Sequence, residues 1–215
     1  MRRTCFMLMF VLAGGLATAA EPKLMRWDFE DTASGSLPKG WSAAQTGRGE
    51  GSVWRIVDDQ SSPKGPKVLA QTANGPGPLF NLCVADESSF VDGEIAVSFK
   101  AVRGKIDQGG GIFWRYADAN NYYIARLNPL EGNYRLFKVV DGQRSQLATK
   151  EDVKATTGEW HTLSIRQAGD QIECLLDGKQ QMEAKDGTFK KAGKVGLWTK
   201  ADAQTNFDEL VVSPR

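Results

Sequence analysis

Between residues 93 and 102 the chain alternates. Ile95, Val97 and Phe99 fall on one side, and Glu94, Ala96, Ser98 and Lys100 on the other. A two-residue period of this kind predicts a strand with one buried face. The same reading places strands at 27–30, 53–57, 68–71, 79–85, 111–116, 121–128, 134–140, 160–166, 171–176, 180–183, 193–199 and 206–212. Turn chemistry separates them. Asp141-Gly142 and Asp177-Gly178 are hairpin dipeptides, and the prolines of 74–78 interrupt a ladder they cannot donate to. Trp41 opens an apolar-poor connection, and 145–156 has a weak helical flavour without a sustained 3.6-residue period. About a dozen short strands at hairpin spacing predict an all-β antiparallel sandwich or barrel. A parallel sheet would need intervening helices.

The densest part of the pattern is Gly109 to Lys138, three strands joined by the turns Asp118–Asn121 and Leu130–Asn133. Ile112, Trp114 and Tyr116 alternate with Phe113 and Arg115. Tyr122, Ile124, Arg126 and Asn128 alternate with Tyr123, Ala125 and Leu127. Tyr134, Leu136 and Lys138 alternate with Arg135 and Phe137. No strand has a wholly polar face, unlike a plain solvated sheet. Arginine and tyrosine together suit a polyhydroxylated ligand: a planar guanidinium offers fixed donors, and an aromatic ring packs on the apolar side of a sugar. The structural alternative is an ion pair between Arg126 and Glu131 or an internal acid, with aromatics filling the core. Ile112, Ile124 and Leu136 read as core; Arg126, Asn128 and Glu131 read as the polar working set. Asn133 and its neighbours at strand ends also read as turn caps.

The first twenty residues stand apart. Arg2 and Arg3 precede an apolar run from Cys5 to Leu16, and Ala17-Thr18-Ala19-Ala20 supplies small residues for cleavage. That is the pattern of a secretory signal peptide, too short to span a bilayer, and it predicts a periplasmic or secreted protein. The domain division is therefore 1–20 as signal and 21–215 as one β-sandwich domain. Removing Arg2 and Arg3 takes the formal charge from +1 to −1. Without a basic tract, neither nucleic acid nor membrane insertion after cleavage is an expected partnership. Cys83 and Cys174 remain, each inside a strand-like segment, and read as small buried hydrophobes.

A second cluster lies at 196–202, where Trp198, Lys200 and Asp202 alternate and share a face while the strand lasts. An aromatic ring with two charged groups again suits a sugar; the alternative is a core tryptophan followed by an exposed ion pair. Glycosidases need two carboxylates about 5–10 Å apart, and apart from Asp28, Glu30 and Asp31, clustered at a strand-to-loop edge, no single strand carries an alternating pair. Glu131 and Asp202 are the single candidates for an acid or base. His161 is the sole histidine, so no Ser-His-Asp or Cys-His arrangement exists without it. No cofactor is expected. A structural calcium ion near Asp208 is a side reading, resting on Asp28, Glu30 or Asp31 meeting Asp208 if the first and last strands pair.

The runs GGGIFWRYADANNYYIARLNPLEGNYRLFKVVDGQR, GEWHTL and DGTFKKAGKVGLWTKADAQTNFDEL, with the opening WDFED and LPKGW, resemble the secreted 3-keto-disaccharide hydrolase family. The resemblance covers nearly all of the chain after the signal. It implies a concanavalin-A-like fold, a two-sheet antiparallel jelly-roll sandwich with a concave ligand face. The positions it carries over are Arg115, Tyr123, Arg126, Asn128, Glu131, Asn133, Trp198, Lys200 and Asp202. The Glu-x-Asp-x-x-Glu signature of family-sixteen glucanases is absent. Three readings follow: an extracytoplasmic carbohydrate-binding sandwich, a hydrolase of 3-keto-disaccharides or related glycosides, and a structural envelope protein without ligand.

Overall fold

A computed structural model describes residues 23–215; residues 1–20, where a signal peptide is expected, lie outside the described residues. The described chain is all-β, with fifteen strands in two antiparallel sheets. One sheet contains β1 (Met25–Trp27), β3 (Trp54–Asp58), β4 (Lys67–Gln71), β6 (Gly93–Arg103), β11 (His161–Ala168), β12 (Gln171–Leu176), β13 (Lys179–Lys185) and β15 (Gln204–Pro214). Its order is β13-β12-β11-β6-β15-β4-β3, with β1 on β15. The other contains β2 (Trp41–Thr46), β5 (Phe80–Phe90), β7 (Gly110–Asp118), β8 (Asn121–Asn128), β9 (Asn133–Val140), β10 (Gln143–Lys150) and β14 (Gly193–Lys200), in the order β10-β9-β8-β7-β14-β5-β2. The crossovers between sheets make this a jelly-roll sandwich. First and last strands pair, Met25 opposite Val212 and Trp27 opposite Leu210.

Two apolar clusters define three surfaces. The larger draws on both sheets, with Ile95, Phe99 and Phe207 from one and Ile112, Trp114 and Leu136 from the other. The smaller comes from the seven-stranded sheet alone and includes Phe113, Tyr122, Ile124, Phe137 and Trp198. That sheet therefore carries apolar side chains on both faces, which is why none of its central strands shows clean alternation. Ile112 and Leu136 are core between the sheets, whereas Ile124 belongs to the outer cluster.

The structure departs from the periodic reading at four places. Residues 143–150 form β10 rather than a weakly helical segment. Asp141 and Gly142 have φ of 50° and 76°, the two positive values of a tight primed hairpin, so β10 is folded back onto β9 by its turn. As an edge strand it is mostly solvated, and its own pattern is weak. Trp41–Thr46 forms the opposite edge, β2, held to β5 through Ala43 and Ala44 despite little apolar content. On β7 the alternation breaks after Trp114. Arg115 has φ 47° and the register with β8 slips before Asp118, so Tyr116 returns to the outer face against Phe113 and Tyr122. Finally, β14 ends at Lys200. Ala201, at φ 52°, turns Asp202 out of the strand.

Cys83 and Cys174 are both free and buried, one in each sheet.

Candidate functional site

The outer face of the seven-stranded sheet has an apolar centre and a polar end. At the centre, Arg144 of β10 lays its guanidinium over aromatic rings, 4.3 Å from the centre of Phe137, 4.8 Å from Phe80 and 5.9 Å from Trp198. This is cation–π geometry. Below it, Trp198 donates its indole N–H to the Tyr122 hydroxyl at 3.3 Å, and that hydroxyl meets Thr46 Oγ1 at 2.8 Å. Burial pushes the Tyr122 hydroxyl up to about 12, overriding these two hydrogen bonds, so it stays a neutral phenol.

The polar end is built on the β8–β9 hairpin. Asn128 faces Asn133 and Arg126 faces Arg135 across the ladder, so four polar side chains share the same end of one face. Arg126 is buried. Its Nη2 donates to Glu131 Oε2 at 2.8 Å and to Asn133 Oδ1 at 2.6 Å. Its Nη1 lies 3.6 Å from Asp107 Oδ2, and Lys200 Nζ lies 3.3 Å from the same oxygen. The other Asp107 oxygen accepts from Asn128 Nδ2 at 3.1 Å and from the Gly109 N–H at 2.5 Å. Asn128 also accepts the Leu130 N–H at 3.1 Å, so it caps the turn and reaches the cluster together.

Partial burial alone would push the Glu131 carboxyl up. The hydrogen bond and charge of Arg126, aided by Asn133 and Arg135, instead hold it down at about 2. Asp107 is fully buried. Both carboxylates sit on one guanidinium, which keeps them within roughly 9.5 Å, the outer limit for paired carboxylates of glycosidases.

Three glycines in series make this possible. A Cβ on Gly109 would stand 2.7 Å from both Arg126 Cδ and Asp107 Oδ1, so its absence leaves the channel in which the Arg126 stem lies. At Gly110 it would strike the Phe99 ring at 2.7 Å in the inter-sheet core, and at Gly111 the Ala125 carbonyl oxygen at 1.9 Å.

The remaining expected site residues are placed as follows. Asp202 does not touch Arg126. Its carboxylate accepts the backbone N–H groups of Lys105 (2.7 Å), Ile106 (3.0 Å) and Asp107 (3.0 Å). Burial works against ionisation there, but these donors hold the carboxyl below its ordinary value. Asp202 thus pins the loop that delivers Asp107, beside a cavity of about 600 Å³ that Arg103, Lys105, Gln108 and Asp202 help to line. Arg115 lies outside the cluster. Its guanidinium donates to the carbonyls of Val91, Phe189 and Gly169 and to Asp92, tying loops at the opposite end of the sandwich. Tyr123 faces the inter-sheet core and donates to Asp186 Oδ1 at 2.6 Å. Asp208 accepts from the Ser62 hydroxyl and the Glu209 N–H, and Glu30 caps the Lys67 N–H. Among the described residues no three His, Cys, Asp or Glu side chains are grouped to hold a metal ion.

Residues 28–213 match the family described as a 3-keto-alpha-glucoside-1,2-lyase-like domain. The chain belongs to this family. No curated protein is a match at the sequence level. Among solved structures, this lyase-like domain is similar to the carbohydrate-binding module CBM66 from Bacillus subtilis. The TM-score is 0.65 at 20% identity, over 81% of this chain and 96% of that one. It also resembles the Bacteroides ovatus mixed-linkage-glucan GH16 in complex with a G4G4G3G product (TM-score 0.61, 10% identity, 87% and 99% covered). The Bacillus licheniformis β-glucanase is similar too (TM-score 0.60, 12% identity, 91% and 100% covered). At these identities the likeness is one of fold, a jelly-roll sandwich.

Two residues of the lyase-like domain's outer face escape the sequence pattern. Asp107 stands in the loop run GKIDQGGG, whose only signal is its place just before the glycines that admit Arg126. Arg144 stands in a segment without clear period, and only the preceding Asp-Gly turn fixes which face it takes. With these two included, the groups of the face that keep some exposure are Phe80, Arg144, Glu131, Arg135 and Lys200, and Trp198, Phe137, Arg126, Asn128, Asn133 and Asp107 lie buried beneath them.

Proposed function

We propose that this lyase-like domain is an extracytoplasmic carbohydrate-binding sandwich, and that its ligand lies across the outer, concave face of the seven-stranded sheet. The observation that carries the reading is the continuity of two chemistries on that one face. The Phe80, Phe137 and Trp198 rings under Arg144 run into the Arg126–Asn133–Glu131–Asp107–Lys200 network. Half-buried Phe80 can serve the apolar side of a pyranose and Arg135, Arg144, Lys200 and Glu131 its oxygens, while Trp198, Phe137, Arg126, Asn133 and Asp107 are buried beneath them and hold them in place. The family description directs the choice of sugar towards α-glucosides oxidised at C3. The amino-terminal pattern supports a periplasmic or secreted setting. The test is titration with methyl α-glucoside and its 3-keto derivative, followed through the backbone amide resonances of β8, β9 and β14. Shifts confined to those strands are the expected result. Absence of shifts with either sugar would remove the reading.

A second reading is favoured by Glu131 and Asp107 sharing Arg126. In a 3-keto-α-glucoside the C2 proton is acidified by the ketone. A base that takes it lets the electron pair form the C1–C2 double bond while the C1–O bond breaks, and the departing oxygen takes up a proton. Both carboxylates are placed on the polar end of the face, but Glu131, held near pKa 2, is a weak base for that step. Incubation with p-nitrophenyl 3-keto-α-glucoside separates the outcomes. An unsaturated sugar product indicates elimination, and a saturated 3-keto sugar indicates hydrolysis. Shifts without p-nitrophenol indicate binding alone.

A further inference from the structure

The ion pairs on the outer face do not include Arg144. Asp107 is engaged by Arg126 and Lys200, Glu131 by Arg126 and Arg135, and Glu151 by Arg135. Among the described residues no carboxylate forms an ion pair with Arg144, and its Nη1 is buried without a hydrogen-bond acceptor. Lys194 and Asp86 pair further along the same face, so Arg144 stands among these pairs without an ionic partner. Ring contacts with Phe80, Phe137 and Trp198 hold its plane but accept no hydrogen bonds. A guanidinium withdrawn from water with an unfilled donor is costly unless something supplies the acceptor. Burial, and the nearby charge of Arg126, disfavour the cation, against the smaller favourable pull of Asp107 and Glu131.

We propose that the face takes an anionic sugar, a uronate or other carboxylate-bearing glycoside, whose carboxylate docks on Arg144. This rests on the carbohydrate reading of the same face and narrows it. A carboxylate can take the guanidinium edge that is not buried, Nε and Nη2, with two parallel hydrogen bonds. Half-buried Phe80, whose ring stacks beside Trp198 at 5.2 Å, borders the same guanidinium and offers its ring to the apolar side of the pyranose. The preformed stack keeps the guanidinium plane fixed, so little rotamer freedom is lost when the anion arrives.

The experiment compares methyl α-glucuronide with methyl α-glucoside on the chain lacking residues 1–20 by resonance titration at low and at moderate salt. The uronate is expected to bind about tenfold or more tighter, as charge-assisted hydrogen bonds do, with a gap that narrows as salt rises. In Arg144→Gln the ratio should fall to about one, and in Arg144→Lys, which keeps charge without the fork, to an intermediate value. Arg166→Gln, on the surface of the other sheet, should keep the wild-type ratio. Equal binding of the two sugars by the wild type overturns the inference and leaves the carbohydrate reading standing. So does a preference that survives both Arg144 variants. If neither sugar binds, the carbohydrate reading falls and this inference with it.

Discussion

Arg126 and Asp107 meet below the surface of the seven-stranded sheet's outer face. The guanidinium, 1% exposed, and the carboxylate, 0% exposed, approach to 3.6 Å, and the same guanidinium reaches outward to half-exposed Glu131 at 2.8 Å. One arginine therefore neutralises an inner carboxylate and presents an outer one. The inner contact serves the fold, and the outer one serves the face. Removing the arginine should damage both, and separate measurements distinguish the two losses.

Arg126→Met is expected to destabilise the protein by about 3–5 kcal/mol, because it leaves Asp107 charged and buried with Lys200 as its remaining cation. Urea unfolding followed by tryptophan fluorescence reads this directly. Adding Asp107→Asn should recover part of the loss. A double variant as unstable as the sum of the singles would show that the two residues do not act as a pair.

Glu131 gives the fold a pH dependence of known sign. Its folded-state pKa is depressed to about 2 from an ordinary 4.5, with burial opposing and Arg126 prevailing. The unfolded chain therefore binds this proton first as pH falls, and the stabilisation, complete above the ordinary value, is lost from about pH 4.5 down towards 2. Glu131→Gln should show a shallower acid decline than wild type across that window. Parallel acid titrations would mean that the ion pair contributes nothing to folding.

How much of this was readable in the chain depended on whether a side chain followed local period or distant geometry. Arg126, Asn128 and Asn133 lie at alternating positions of a hairpin with a clear turn, so their shared face follows from spacing alone. Lys200 and Trp198 keep their shared face for the same reason. Arg115 does not, because a positive φ shifts the register at its own position, an event that no two-residue period contains. Asp202 leaves the face where Ala201 reverses the chain. Tyr123 was visible as the opposite parity to Tyr122, but sequence could not say which parity faced the other sheet while both were aromatic. Asp107 and Arg144 depend on a loop and an edge strand, each placed by contacts far away in the chain.

Gly109→Ala tests whether the glycine run exists for the site. The new methyl would press on Arg126 Cδ and Asp107 Oδ1, each 2.7 Å away, and should cost about 1–3 kcal/mol as overpacking does. Its larger effect should fall on ligand affinity, since the displaced group is the Arg126 side chain. Gly132→Ala is the control. There a Cβ meets nothing within 4 Å, although φ is +63°, so a modest stability loss with unchanged resonances of β8 is expected.

The two thiols should be silent in the native state. Burial pushes both Cys83 and Cys174 up, the former further raised by the Asp86 charge, so neither presents a thiolate to an alkylating reagent. Iodoacetamide should add nothing to the folded protein lacking residues 1–20 and two adducts after denaturation, counted by mass. Native-state labelling of either would mean that its strand opens locally.

Asp202 is expected to act on the face at one remove. Its carboxylate receives three consecutive backbone N–H groups, at Lys105, Ile106 and Asp107, and the last of these carries the carboxylate that Arg126 and Lys200 share. Asp202→Ala leaves those donors without their acceptor and should cost about 1–3 kcal/mol. Hydrogen exchange localises the effect: amides 105–107 should lose protection, while the β8–β9 ladder keeps its own. If the loop loosens, Asp107 no longer holds its place against Asn128, and sugar affinity should fall together with loop protection across Asp202→Asn and Asp202→Ala, the asparagine variant lying between wild type and alanine because one carbonyl oxygen remains to accept. A variant that frees the loop yet binds as tightly as wild type would show that Asp107 belongs to the fold and has no part in the ligand face.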